Sequence, residues 1–434
     1  MGGFFYLIAS VAFTSFNSYL PKNQQTMKKI LLNSFLFFVT LVLFTQCKKG
    51  DGDTLELVQI PKVITVEQMR DLPVGITNPI KAEKSGKIYI YQDFLFINEP
   101  SKGIHIYNNS NPSAPVNVAF LQIPGNVDLA VSNNILYADS YVDLLAFDLS
   151  AMENIKQVKR VKDVFKQFYF DNNSVQKRVV TYKDSLIRRN RSNNKQLMDA
   201  STSYSSTGQG GSMARFTLLN NHLYTVGQSD LSLFDIKTAS NPVFVKSINL
   251  GWGVETIFPY ENKLFIGTNR GMHIFNASDA ANPVKLSTYI HVLACDPVVV
   301  QGKYAYVTLR TGNMCMQGTN QLEVVDIADA SNPKLVAVYP MQNPHGLSVS
   351  GNNLFLCEGS YGLKTFNIAD KNLIGKNLLQ HLKGIKTFDV IAGPKSLIVT
   401  GDGGVYQFNY SNPNSLSQLS KISVQTSLLS NFWR

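Results

Sequence analysis

The chain has 434 residues, 44% hydrophobic and 16% charged, which is too apolar and too sparsely charged for a disordered chain. Its net charge of +10 falls to +7 once the three lysines of residues 1–47 are set aside; with no basic cluster interleaved with aromatics, nucleic acid is excluded as the expected partner and the charge reads as a solvated surface. Phe (26) and Tyr (19) are abundant, and no long stretch after position 50 keeps a 3.6-residue apolar period, so the expected class is all-β.

In chain order, the first element is an address. "MKKILLNSFLFFVTLVLFTQCKKGDGD" begins at Met27, with two lysines ahead of an apolar stretch from Ile30 to Phe44. That is the n-region and h-region of a secretory signal. The stretch is shorter than the roughly 20 residues a membrane-spanning helix requires. Met27 is read as the true start, residues 1–47 as a signal region and 48–84 as a tether and N-terminal segment. Cys47 directly follows the apolar stretch. This arrangement resembles a bacterial lipoprotein signal, in which the cysteine is lipidated, with Gln46 standing where a small residue is usual. The hydrophilic "KKGDGD" after it resembles the tether of Bacteroidetes-type surface lipoproteins. The alternative is an uncleaved signal anchor; either way the remainder is expected outside the cytoplasm.

From residue 85 a unit recurs. The second strand of each copy carries a large anchor: Phe96, Tyr137, Tyr224, Phe265, Tyr306, Phe355 and Ile398, spaced by 41, 87, 41, 41, 49 and 43 residues. A third strand then ends in a hydrophobe followed by Asp or Asn, from Tyr107-Asn108 to Phe408-Asn409, in all seven copies. Such a side chain can accept backbone N–H bonds in the turn that follows. Asn-Pro comes next in five copies, at Pro112, Pro242, Pro283, Pro333 and Pro413. Proline ends the third strand and fixes the corner before the fourth. Four short strands in about 41 residues is the arithmetic of a β-propeller blade. The expectation is a seven-bladed β-propeller of four-stranded blades over 85–425, with a tail at 426–434. The spacing of 87 holds an insertion at 162–211. An eighth blade there is rejected, because "NRSNNKQLMDASTSYSSTGQGGS" lacks the anchor, the Asp/Asn turn and the proline, and reads as mobile.

The units resemble the LVIVD repeat, whose third strand here reads "LEVVD" at 322–326. "GGSMARF", "GWGVETIFPY", "CDPVVVQGKYAYVTLRTG" and "NPHGL" resemble the Bacteroidetes lipoproteins built from it. The resemblance covers roughly residues 85–425, and it implies a propeller in the cell envelope and no particular reaction. "EGSYGLKTF" and the "MENIKQV" of the second unit depart from the pattern.

No Walker loop, G-x-S-x-G elbow, H-E-x-x-H, calcium loop or C-x-x-C occurs, so no cofactor and no metal is expected. His105 and His273 occupy matching third-strand places and read as packing positions. One constellation remains. Nine or ten residues before each anchor, where each first strand begins, stand Lys87, Asp128, Arg215, Glu255, Asp296, His345 and Asp389. The first strand of a propeller blade is innermost, so these seven are expected to ring the channel mouth. A ring of ionisable groups can be a ligand site; a mixed-sign ring can equally satisfy itself and serve architecture. Arg215 and His345 are the candidates for an anionic or polar ligand. Of the other cysteines, Cys295 opens the first strand of the fifth unit and Cys315 lies in the loop that lengthens it, so a disulfide between them is expected outside the cytoplasm. Cys357 is expected to be buried and free. The expected function is a lipid-anchored envelope module that binds a protein or glycan. The alternative is an enzyme acting on glycans or small polar metabolites at the channel mouth.

Overall fold

The computed structural model describes residues 54–165, 169–170, 177–189, 211–291, 297–311 and 319–424. The chain divides into two compact units, and residues 57–185 with 198–434 form the unit that contains every blade. The blades occupy residues 88–122, 129–161, 216–249, 254–290, 298–340, 347–382 and 387–423, each a sheet of four sequential antiparallel strands. They close a seven-bladed propeller. A short strand, Gly75–Thr77, pairs with the outermost strand of blade 1 and makes that sheet five-stranded. Among the described residues no helix is long and apolar enough to cross a membrane.

The repeated residues explain the repeated shape. All seven anchors are 0 or 1% exposed. Two of the tyrosine anchors also tie their blades to the next: the Tyr137 hydroxyl donates to Ala239 O at 2.8 Å and the Tyr224 hydroxyl to Ala280 O at 2.6 Å. These acceptors lie in the turns of "TASNP" and "DAANP". The motif that closes one blade is thus the socket for its neighbour's anchor.

The Asp or Asn at the end of each third strand caps its turn in all seven blades. In each, the side-chain Oδ1 accepts the backbone N–H two residues on, at 2.8–3.0 Å. The pairing of third and fourth strands then slips by one residue at the same place in every blade. A bulge there bends the outer edge and raises its twist.

Each blade is built from consecutive strands, so the ring is not fastened by exchanging a strand between its ends. Blades 1 and 7 meet through side chains instead. Asn109 and Gln407 exchange amide hydrogen bonds, Nδ2 to Oε1 at 3.0 Å and Nε2 to Oδ1 at 2.7 Å, in a buried site. Ser420 Oγ donates to Pro112 O at 2.6 Å. Ile88, Leu95, Ile97 and Tyr107 of blade 1 pack with Ile398, Val405 and Ile422 of blade 7.

Part of the segment ahead of the first blade is docked. Val66–Arg70 is a short helix opened by a capping box in which Thr65 and Gln68 satisfy each other's backbone N–H. Ile64, Val66 and Met69 pack on Tyr141 and Val142 of blade 2. Arg70 grips Asp143 with two bonds of 2.9 Å, and Arg160 reaches the same carboxylate at 2.9 Å. Within the insertion between blades 2 and 3, Tyr169–Phe170 pairs with Lys177–Arg189 as antiparallel strands. The last residues of that insertion form a 3-10 turn, Gly211–Met213. It leads into the first strand of blade 3.

Candidate functional site: the channel mouth

The leading ends of the first strands gather at one end of the ring, and on the side of blades 1 to 3 they neutralise one another. Lys87 and Asp128 are each 3% exposed and form an ion pair. The Lys87 ammonium also donates to Leu129 O at 3.0 Å. Asp128 Oδ1 accepts Leu129 N at 2.7 Å, and Oδ2 accepts the backbone N–H of Arg215 and Phe216 at 2.6 and 3.0 Å. One carboxylate therefore holds three consecutive blades.

Asp389, at the matching place in blade 7, is fully buried. Its Oδ1 accepts Val390 N at 2.9 Å and the Ser212 hydroxyl at 3.1 Å. Its Oδ2 has no hydrogen-bond partner; the N–H groups of Ser212 and Met213 face the carboxyl and favour its charged form without closing a bond on that atom. Burial outweighs them and pushes the Asp389 pKa up to about 8. Gly346 packs against this carboxyl so closely that any Cβ there would run into it, which gives the glycine of "NPHGL" its reason. Asp139, at the end of the second strand of blade 2, is likewise pushed up to about 7 by burial. It accepts Val127 N, Asp128 N and the Asn126 amide at 2.9–3.0 Å.

The turn Gly211–Met213 spans the mouth. Ser212, 4% exposed, donates to Asp389 of blade 7, and its oxygen accepts Leu347 N of blade 6 at 3.0 Å. Ala214 O accepts Ile257 N of blade 4 at 2.8 Å. Arg215 N reaches back to Asp128 of blade 2, as above. Five residues thus tie blades 2, 4, 6 and 7 to blade 3.

The remaining arc brings Arg215 and Arg310 to Glu255, and Arg310 to His345. The Arg215 Nε donates to Glu255 O at 3.4 Å. Arg310, just past the second strand of blade 5, has its pKa lowered by burial and raised in part by the Glu255 carboxylate. His345 is 9% exposed and its ring stands edge-on to Phe388 at 5.6 Å between centroids. Burial, with Arg310 and Lys386 nearby, drives its pKa down to about 3. The imidazole is therefore neutral at physiological pH. On the same end of the ring, the 250–253 loop before Glu255 exposes Trp252, 67% accessible, and the hairpin of blade 6 exposes Tyr361.

Six of the seven residues of the ring fall where the repeat placed them. Asp296, Cys47 and the Cys295–Cys315 pair lie outside the described residues. Cys357 is buried and free, with its thiol pK raised by burial. His105 is a packing residue, fully buried and bonded to Glu99 at 2.8 Å. Sequence reasoning missed Ser212, Arg310 and Asp139. The last two sit at the ends of second strands, on the same end of the ring as the residues chosen. Among the described residues no group of three His, Cys, Asp or Glu could hold a metal ion.

No family model and no curated protein matches the chain. Among solved structures, a functionally unknown protein from Desulfotomaculum acetoxidans is 12% identical, covers 77% of this chain and 98% of its own, and gives a TM-score of 0.50. The β-propeller domain of Cps50 (Swd1) from Myceliophteria thermophila is 13% identical over 76% of this chain and 96% of its own, at a TM-score of 0.48. BamB from Moraxella catarrhalis is 9% identical over 81% and 96%, at 0.46. At such identities the likeness concerns the fold alone.

Proposed function

We propose that the chain is a lipid-anchored propeller of the cell envelope that binds an anionic or polar ligand at the channel mouth. The observation that carries the site is the pair of cations, Arg310 and Lys386, beside His345, with Glu255 acting on Arg310. The pair's positive field is strong enough, together with burial, to hold that histidine neutral. Arginine offers a planar fork suited to a carboxylate, sulfate or phosphate. Exposed Trp252 and Tyr361 add flat faces on which a sugar ring can stack. Binding is favoured over catalysis because the two acids with raised pKa values, Asp389 and Asp139, are buried and bonded to backbone and side-chain donors that hold the ring together. A general acid or base needs to reach its substrate.

The anchor rests on the sequence around Cys47 and on the likeness to LVIVD-repeat lipoproteins. Calorimetric titration with acidic oligosaccharides and organic acids tests the site: wild type binds, and Arg310→Met weakens the best ligand about tenfold, the loss of one charge-assisted hydrogen bond. No binding by wild type overturns the site. Intact-mass analysis of membrane fractions tests the anchor, since Cys47→Ser should lose the lipid and the membrane association together.

A further inference from the structure

The opposite end of the propeller carries a second concavity. Between the first hairpins of blades 5 and 6 lies a cleft of about 290 Å³ lined by Gln301, Lys303, Tyr304, Gly351, Asn352 and Lys371. Tyr304 opens the second strand of blade 5 and is half-buried. Two ammonium groups attend its ring, Lys303 Nζ at 5.4 Å from the centroid and Lys371 Nζ at 5.1 Å. Their nitrogens are thus at most about 10.5 Å apart.

The scaffold under them is fixed. Lys303 O accepts Ile327 N at 2.8 Å. Lys371 O accepts the Tyr339 hydroxyl at 2.5 Å, and the Lys371 ammonium donates to Ile368 O. The N–H of Gly302, beside Lys303, is held by the Tyr260 hydroxyl of blade 4 at 2.8 Å. Among the described residues neither lysine forms an ion pair. Asp370 is the acidic group that acts on Lys371, and it only partly offsets the burial that lowers that lysine's pKa. Both cations stand near the Tyr304 ring and neither is in an ion pair among the described residues, while the amides of Gln301 and Asn352 supply further donors.

We propose that this cleft binds a small oxyanion between Lys303 and Lys371, with its carbon skeleton over the Tyr304 ring. The ligand class is a phosphorylated, sulfated or carboxylated small molecule. The volume admits one sugar-sized group, and a single oxyanion in the cleft faces both ammonium groups at once. The site is separate from the channel mouth and does not depend on it. An anion here would also engage blades 5 and 6 together, because Lys303 and Tyr304 belong to one and Asn352 and Lys371 to the other.

The test is isothermal titration of the full chain with inorganic phosphate, glucose 6-phosphate and glucuronate at low salt. Lys303→Ala, Lys371→Ala, the double variant and Arg310→Met are run in parallel. Each single lysine variant should bind the best of these probes about tenfold more weakly, as expected for one charge-assisted hydrogen bond. The double variant should lose the binding that survives in Arg310→Met, and Arg310→Met should bind this site as wild type does. Both lysines are on the surface, and an unchanged melting temperature will show that the variants fold. The proposal is overturned if wild type gives no heat with any probe, or if the double variant retains wild-type affinity. It is also overturned if Arg310→Met abolishes all binding, since the anion would then lie at the mouth.

Discussion

Asp128 and Asp389 occupy the same place in blades 2 and 7, each fully or nearly buried and each accepting the N–H of the residue that follows. Asp128 has a cation, Lys87, and two further backbone donors from blade 3. Asp389 has one serine hydroxyl and an oxygen with no hydrogen-bond partner. One position in the repeat therefore serves as a charged clamp on one side of the ring and as a carboxyl held mostly protonated on the other. Repetition sets where a side chain stands; the neighbour that the ring brings to it sets its charge.

The difference has measurable edges, the largest at the clamp. Asp128→Asn leaves the Lys87 ammonium buried without a counter-charge, and breaking a buried pair in this way costs about 3–5 kcal/mol. The midpoint of urea unfolding at pH 7 should fall accordingly. If it does not move, Asp128 is no clamp and the contrast collapses.

Next comes the pH dependence of the other carboxyl. The folded pKa of Asp389, near 8, lies above the ordinary aspartate value of 3.8. The folded state therefore holds its proton where the unfolded chain has lost it. Its contribution is complete below about pH 4 and is lost as pH rises towards 8, at up to about 1.4 kcal/mol per pH unit. Asp139, raised to about 7, adds to the same fall. In Asp389→Asn the decline of melting temperature between pH 5 and 8 should become shallower, with stability at pH 7 close to or above wild type. An unchanged slope would show that Asp389 is ionised throughout.

Ser212→Ala sharpens the same side. It removes the hydroxyl between Asp389 and Leu347 N and leaves that buried N–H without its acceptor, at a cost of about 1–2 kcal/mol. The double variant Ser212→Ala with Asp389→Asn should cost less than the sum of its parts, because the two share one hydrogen bond. The smallest effect is expected at the outer seam. Lys395 pairs with Asp93 across blades 7 and 1, with both side chains more than 40% exposed. Lys395→Ala should change stability by under about 1 kcal/mol. A loss as large as that of Asp128→Asn would mean that any contact between blades weighs alike, wherever it sits.

The blades could be read from the sequence because each repeats its own local chemistry. The anchor, the Asp or Asn cap and the proline act within about 40 residues, and the structure places each in the role its type implies. The ring residues were legible for the same reason: a position that repeats in sequence repeats in space. The plug was not. "TGQGGS" has the composition of a loop, and the partners of Ser212 come into view only when the ring is closed. Arg310 escaped because no other blade carries an arginine at that place, so nothing repeated to mark it. The docking of Arg70 on Asp143 joins residues far apart in the chain, with no periodic signal at either end.

The turn at Gly211–Met213 also has a place in time. Ser212 is made 135 residues before Leu347 and 177 before Asp389, the two groups that hold it. A chain emerging from its N-terminus can complete blades 1 to 5 with this turn still lacking its far-side partners. Blades 6 and 7 then have to fold around an obstacle already in the middle, and blade 7 must also meet blade 1 without an exchanged strand. Contacts of such long sequence separation form slowly. The last quarter of the chain therefore governs when the molecule becomes whole, and the half-made ring, with its inner strands uncovered, is the species most exposed to aggregation or to capture by a chaperone.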